Sequence, residues 1–301
     1  MSAVLIAVIL ALVLGHTVPQ LAQLRRYEWF TVWLRELGTR LGSQGLHASR
    51  VGILLSLGLP LLIVGLLQTG LDDRVYGLPG FAFAVIVLFY CWGPRDLDLD
   101  VEAIVEAGDA ERRRVAATAL FGTEREARLD APALVEGVFQ GALERWFGVL
   151  FWFVLLGPFG AVLYRLAQLG ATRTHAPVLP TEHGDTYARL KLILDWPVAQ
   201  LMTLGLALAA NFDAVATAWR SWHAERGQRW FALDTGFLGA AAKASVDCEL
   251  AEERDEAYAV DAPPPPAPAL PALKDAMSLA WRILLLWLAV LALFVLAGYV
   301  N

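Results

Sequence analysis

The chain has 301 residues, of which 57% are hydrophobic and 18% are charged, and its mean hydropathy is +0.51. This composition is too apolar for a soluble domain, and the net charge of −6 leaves no uncompensated basic surface for a nucleic-acid partner. Eleven tryptophans suit helices that are anchored at two membrane interfaces. We therefore expect an all-α fold, a polytopic membrane helical bundle of about six spans with cytoplasmic helical loops, in contact with the lipid bilayer.

Six apolar stretches approach the length that crosses about 30 Å of hydrocarbon. The first has no basic residue ahead of it and no clear cleavage site, so we interpret it as an uncleaved span. The fifth is short and contains Gln200 and Asn211, so it could be re-entrant instead of crossing fully. The predicted spans are Met1–Gly15, Val51–Gln68, Gly77–Trp92, Trp146–Tyr164, Trp196–Phe212 and Ile283–Val300.

The distribution of lysine and arginine predicts the orientation of these spans, because positively charged loops stay in the cytoplasm. With both termini outside, eighteen of the 24 basic residues fall in inside loops and five in outside loops. The segments near residues 20–50, 93–145 and 220–275 are therefore predicted to be cytoplasmic. We expect a multi-pass protein of the bacterial inner membrane.

The loops give the rest of the predicted organisation. Residues 20–41 have amphipathic helical spacing and four arginines, typical of an interfacial helix, although these arginines could instead hold a phosphate-bearing ligand. The next segment predicts two short helices joined at Gly108-Asp109, with Asp109 as an N-cap. A long helix opened by Asp130 and Pro132 is predicted to continue through the fourth span, with a kink at Pro158. The expected divisions are 1–92 with three spans and the interfacial helix, 93–145 as a cytoplasmic helical segment, 146–219 with the fourth and fifth spans, 220–260 as an acidic cytoplasmic segment, 261–273 as a Pro-rich linker and 274–301 as the last span.

Conventional catalytic signatures are missing from the sequence: there is no phosphate-binding glycine loop, nucleophile elbow or H-E-x-x-H motif. We therefore predict no catalytic residue, cofactor or metal ligand from motifs. His175, Glu182, His183 and Asp185 gather in the loop 173–185, where a Pro-rich backbone fixes no ligand geometry. Metal binding in that loop stays open.

Charged groups at the ends of spans are more informative, because ionisable groups at membrane depth are costly unless they are paired or functional. Arg165 and Arg189 could fork onto one phosphate or carboxylate, or Arg165 could simply pair with Asp195. The predicted ligand-binding residues for an anionic small molecule are Glu144, Tyr164, Arg165, Arg189 and Asp195, and a possible cytoplasmic polar cluster comprises Arg95, Asp96 and Asp109.

Several segments resemble the AmpE family of membrane proteins. They are, in order, GPRDLDLDVEAIVEAGD from Gly93, ERWFGVLFWFVLLGPFGAVLYRL from Glu144, YARLKLILDWPVAQL from Tyr187, NFDAVATAWRSW from Asn211 and the terminal WRILLLWLAVLALFVLAGYV. The resemblance implies a non-enzymatic sensory or regulatory modulator of the inner membrane, linked to beta-lactamase induction and cell-wall recycling. It also implies a cytoplasmic cell-wall amidase as a partner.

A wider resemblance is to the CobD/CbiB family, which joins an aminopropanol phosphate to the cobyric acid side chain in cobalamin synthesis. Its elements resemble Arg95-Asp96-Leu97, Gly108-Asp109, Leu129-Asp130, Gly160 to Arg165, Ala188-Arg189-Leu190 and Trp196-Pro197. Glu144 alone represents the family's E-N-x-x-D-G, residues 166–171 replace N-T-L-D-S-M, and Lys191-Leu192 replace the aspartates of A-R-L-D-D. Since these acids would hold metal and phosphate, the synthase reaction is disfavoured. An enzyme of this type acting on an anionic substrate is the alternative to the regulatory role.

Overall fold

The computed structural model describes residues 2–17, 25–41, 50–72, 77–93, 96–122, 127–172, 181–225, 227, 233–257 and 269–298. Every regular element in these ranges is helical, which confirms the all-α prediction. The α-helices are α1 (Ser2–Thr17), α2 (Glu28–Leu41), α3 (Arg50–Asp72), α4 (Leu78–Cys91), α5 (Leu97–Glu106), α6 (Ala110–Phe121), α7 (Ala131–Ala142), α8 (Gly148–Leu156), α9 (Pro158–Ala171), α10 (Thr181–Ala209), α11 (Phe212–Glu225), α12 (Gly236–Ala257) and α13 (Ala269–Leu296), with a π-helical turn at Leu143–Phe147 between α7 and α8.

Within the described ranges, four helical stretches are long and apolar enough to cross a membrane, and two shorter apolar helices accompany them. This agrees with a membrane bundle of about six apolar segments, whereas their orientation stays a prediction. The long stretches are Ile53–Leu71, Ala131–Leu156, Gly184–Ala209 and Ala269–Leu296, and the shorter ones are Ala3–Gly15 and Leu78–Cys91.

The boundaries of three predicted spans are wrong. Trp146–Tyr164 is not one helix, because Gly157 has φ 68° and ψ −153° and a new helix begins at Pro158, where proline fits a first turn. The predicted kink is therefore a full break. The helix of the fifth predicted span begins at Thr181 and that of the last at Ala269, because polar residues ahead of each apolar run continue the helix.

A glutamine of α3 bridges the break between α8 and α9. Gln68 donates from Nε2 to the carbonyl oxygen of Leu156 at 3.3 Å, and its Oε1 accepts from the N–H of Phe159 at 3.0 Å. One side-chain amide thus partners a carbonyl and an N–H on either side of Gly157. Backbone groups freed by a helix break need such partners in an apolar environment.

The structure divides into two compact units. The first comprises Met1–Arg95, Glu144–Leu194 and Leu291–Asn301. In it α4 packs against α1, α3 and α9, and α8 packs against α9. The amphipathic helix α2 lies on α3 and buries Phe30 and Leu34 on one face, whereas Arg35 and Glu36 are exposed. This agrees with the predicted amphipathic segment from Glu28 onward; residues 20–24 lie outside the described ranges.

The second unit comprises Asp96–Leu143 and Asp195–Val290. The predicted short helices are confirmed as α5 and α6, and Asp109 caps α6 by accepting the N–H of Arg112 at 2.7 Å. Helix α7 follows Asp130 as predicted and packs against α12. The acidic segment forms α12, and Lys243 of that helix pairs with Glu136 at 2.9 Å.

The Pro-rich linker predicted at 261–273 extends too far, because its last five residues belong to a helix. Ala269 to Leu273 belong to α13, and Ala272 and Leu273 are buried, because the alternation of alanine and leucine after the last dense prolines supports a helix. The preceding residues 261–268 lie outside the described ranges, so a spacer there remains a prediction.

Candidate functional site

A π-helical turn at Leu143–Phe147 carries the acidic residue of the site, Glu144. Such turns insert an extra residue into a helix and are frequent at functional sites. The turn is followed by Gly148, where a Cβ atom would lie 2.1 Å from Cζ of the buried Tyr164. Glycine therefore lets α9 approach this helix closely, which places the next residue, Arg165, near the turn.

Four side chains form a connected polar cluster, which we call the Glu144 centre: Glu144, Arg165, Gln168 and Lys191. Lys191 Nζ lies 3.0 Å from Oε1 of Glu144, and Gln168 donates from Nε2 to the other carboxylate oxygen at 3.1 Å. The Oε1 atom of Gln168 accepts a hydrogen bond from Nη1 of Arg165. Gln168 therefore links a carboxylate and a guanidinium through the two ends of one amide.

Arg165 is almost completely buried, with 1% of its surface exposed. Its Nε and Nη2 atoms donate to the carbonyl oxygen of Cys91 at 2.8 and 2.5 Å. Burying a guanidinium is costly unless its donors are satisfied, and a carbonyl satisfies hydrogen bonds without neutralising charge. The Glu144 centre thus has one carboxylate and two cations, an excess of positive charge that suits an anionic ligand.

The outer part of the centre is partly exposed at the surface of the protein. The side chains of Lys191 and Glu144 are 20% and 25% exposed. A ligand could therefore exchange places with one partner of this ion pair while Arg165 and Gln168 hold the inner part in position.

The structure brings together some of the predicted ligand residues. Glu144 and Arg165 meet through Gln168, and Tyr164 packs beneath them against Gly148. Arg189 is exposed, and the cation that contacts Glu144 is Lys191, two residues further along α10. A joint role of Arg165 and Arg189 stays a prediction.

The remaining predicted residues have less specific surroundings. Asp195 is buried and belongs to the second unit, and its predicted pairing with Arg165 stays a prediction. Asp96 stands at the N-terminus of α5, and the exposed Asp109 is the cap of α6. Arg95 lies outside the described residues, so the cluster proposed for these three residues is also still a prediction.

Sequence reasoning missed Gln168 and Lys191. Gln168 follows Arg165 by three positions, a spacing that places both on one face of a helix and could have indicated it. Nothing local links Lys191 to Glu144, because their contact depends on how α10 packs beside the π-helical turn.

The centre does not fit a divalent metal. Magnesium prefers several oxygen ligands, and this cluster has one carboxylate whose charge faces Lys191 at 3.0 Å. Among the described residues, no group of three or more His, Cys, Asp or Glu is placed to hold a metal ion. The predicted loop group at His175, Glu182 and His183 lies where side chains are not described.

Comparisons with known proteins give a consistent family. The family model described as CobD/Cbib protein matches residues 4–268. A protein named cobalamin biosynthesis protein CobD, from Chromobacterium violaceum, is 30% identical over 177 residues, covering 55% of this chain and 54% of that protein. A protein of the same name from Stutzerimonas stutzeri is 25% identical over 175 residues, covering 54% and 58%.

The chain therefore spans about half the length of the curated relatives it matches. No solved structure matches it significantly. These findings give no support to the closer resemblance to AmpE, nor to a link with beta-lactamase induction or a cell-wall amidase. They support the wider resemblance instead.

Proposed function

Because this chain belongs to the CobD/CbiB family, we propose that it acts in cobalamin biosynthesis as a multi-pass protein of the bacterial inner membrane that binds an anionic substrate at the Glu144 centre. The relatives are named as cobalamin biosynthesis proteins. The substrate class follows from the excess of cations in the centre.

One observation carries this proposal. Three segments with family elements, at Glu144, at Gly160 to Arg165 and at Ala188 to Leu190, lie on successive helical elements, and their side chains or near neighbours meet in one cluster. The convergence favours a functional site over independent structural pairs.

The chemistry of an amino-phosphate substrate matches the residues of the centre. Lys191 can bind a phosphate oxygen, and the positive charge of Arg165 strengthens that interaction in an environment of low dielectric. Glu144, once released from Lys191, can bind an ammonium group and accept a proton from it, which would leave a nucleophilic amine. Gln168 would keep the carboxylate oriented during this exchange. Since the centre does not fit a metal, we assign no nucleotide-dependent step to it.

The proposal is tested by complementation of a bacterium that lacks its own CobD/CbiB protein. Growth that depends on cobalamin should be restored when cobyric acid is supplied, and cobinamide should support growth with or without the protein. Glu144→Gln should abolish the rescue. Glu136→Gln is the matched control, because Glu136 also pairs with a lysine, at 2.9 Å, but lies in the second unit.

Failure of the wild-type chain to restore growth, despite normal abundance in the membrane, would contradict a biosynthetic role. Equal rescue by the Glu144→Gln and wild-type proteins would show that the biosynthetic role does not depend on the Glu144 centre.

A second candidate is a non-enzymatic, regulatory member of the family. It is favoured by Lys191, which stands where the family element has an aspartate and which forms an ion pair with Glu144. This candidate would be supported if the protein fails to restore growth but an added amino-phosphate compound raises the melting temperature of the purified protein.

A further inference from the structure

The first unit contains a cavity of about 470 Å³ between α2, α3, α4 and α9. This volume is typical of a small-molecule site. The lining is formed by aliphatic and aromatic side chains, with Arg165 as its charged member; its walls include Trp29, Trp33, Leu59, Ile63, Ile86 and Val162. Such walls suit an apolar ligand, not the polar substrate proposed for the Glu144 centre.

The polar atoms of the aromatic lining residues are already engaged. Trp29 donates from Nε1 to the hydroxyl of Tyr90 at 2.7 Å, and that hydroxyl donates to the carbonyl oxygen of Arg26 at 2.6 Å. Trp33 donates from Nε1 to the carbonyl oxygen of Ser56 at 3.1 Å. The rings therefore offer apolar surface to the cavity, and tryptophan and tyrosine are the residues that are enriched at membrane interfaces.

The cavity is continuous with a surface that faces lipid. Only 17% of the apolar span of α3 is buried within the protein. Leu59, Ile63 and Ile86 line the cavity and are also 46%, 51% and 65% exposed. In a membrane bundle, these exposed side chains meet hydrocarbon, so the phase next to the cavity consists of acyl chains.

We propose that this cavity binds one acyl chain of an anionic phospholipid. Water has too few polar partners on these walls to fill it, and an empty apolar space loses dispersion contacts. An acyl chain supplies those contacts and enters directly from the bilayer. The headgroup would lie at the aromatic end, where the exposed Arg26 and the buried Arg25, which donates to the carbonyl of Gly93, together outnumber Glu28. Arg165 adds a buried positive charge to the cavity wall.

The test measures lipid retained by the full-length protein in detergent, by native mass spectrometry, after incubation with dioleoylphosphatidylglycerol. Ile63→Trp places a large side chain at the cavity wall. Leu62→Trp is the matched control, because Leu62 is the adjacent residue of α3, is 58% exposed and does not line the cavity. We expect the wild type and Leu62→Trp to retain one lipid per chain. The tryptophan of Ile63→Trp should displace two or more methylene groups of the acyl chain from the cavity, and we expect this variant to retain about tenfold less lipid.

A second variant keeps the test decisive if Ile63→Trp does not fold. Val162→Phe fills the cavity from α9, on another wall, and should lower retention to a similar extent. Equal retention by all folded variants would overturn the proposal, because it would indicate lipid bound only at the outer surface. Equal retention of dioleoylphosphatidylcholine would overturn the assignment to an anionic phospholipid.

Discussion

Replacement of Gln168 by leucine tests whether the Glu144 centre is a connected unit. The change keeps a side chain of similar volume on α9 but removes the hydrogen bonds to Arg165 and Glu144. Hydrogen bonds to charged groups contribute roughly 1.5–3 kcal/mol each when they are buried. Glu144 keeps Lys191 as a partner, and Arg165 keeps the carbonyl of Cys91, so we expect a total loss of about 2 kcal/mol.

The assay is thermal unfolding of the purified protein in detergent, followed by circular dichroism. A loss of about 2 kcal/mol corresponds to a decrease of roughly 3 °C in the melting temperature of a chain of 301 residues. Gln200→Leu is the control, because Gln200 is also half-buried on a long helix and has no hydrogen bond among the described residues. An unchanged melting temperature for Gln168→Leu would refute the view that this amide holds the two charged groups in place.

Three further changes have defined outcomes. Gly148→Ala should destabilise the first unit by about 1–3 kcal/mol, because its Cβ would overlap Tyr164, whereas Gly58→Ala, with open space around it, should be neutral or slightly stabilising in thermal unfolding. Gln68→Leu should cost roughly 1–3 kcal/mol, measured in the same way, because two backbone groups beside Gly157 lose their partner. Burial raises the pKa of the Tyr27 phenol, so the free energy of unfolding should fall as the pH rises above about 10, the pKa of tyrosine in the unfolded chain. Tyr27→Phe should flatten this decrease in a pH series of melting temperatures. An unchanged slope would contradict the prediction.

The sequence predicted the helical class, the apolar segments and the cap of α6, because periodicity and N-cap residues act locally. Asp109 illustrates this, since its side chain binds the N–H three residues ahead of it. The break at Gly157 was predicted only as a kink, because the sequence does not reveal that Gln68 of another helix supplies the missing hydrogen bonds.

The candidate site was predicted in part for a similar reason. Charge at the end of an apolar run identified Glu144 and Arg165 without any knowledge of packing. Their connection through Gln168 and the contact with Lys191 depend on the approach of α9 and α10 to the π-helical turn, which composition and spacing do not determine.

The bridge made by Gln68 also has a consequence for the order in which the protein assembles. The hairpin of α8 and α9 cannot supply the partners that Gln68 gives to Leu156 and Phe159, so in hydrocarbon it would retain polar groups that each cost several kcal/mol. Helix α3 precedes this hairpin in the chain and therefore leaves the ribosome first. The native α8–α9 turn is thus expected to form on a pre-inserted α3, and the earlier helix acts as a template for the later one.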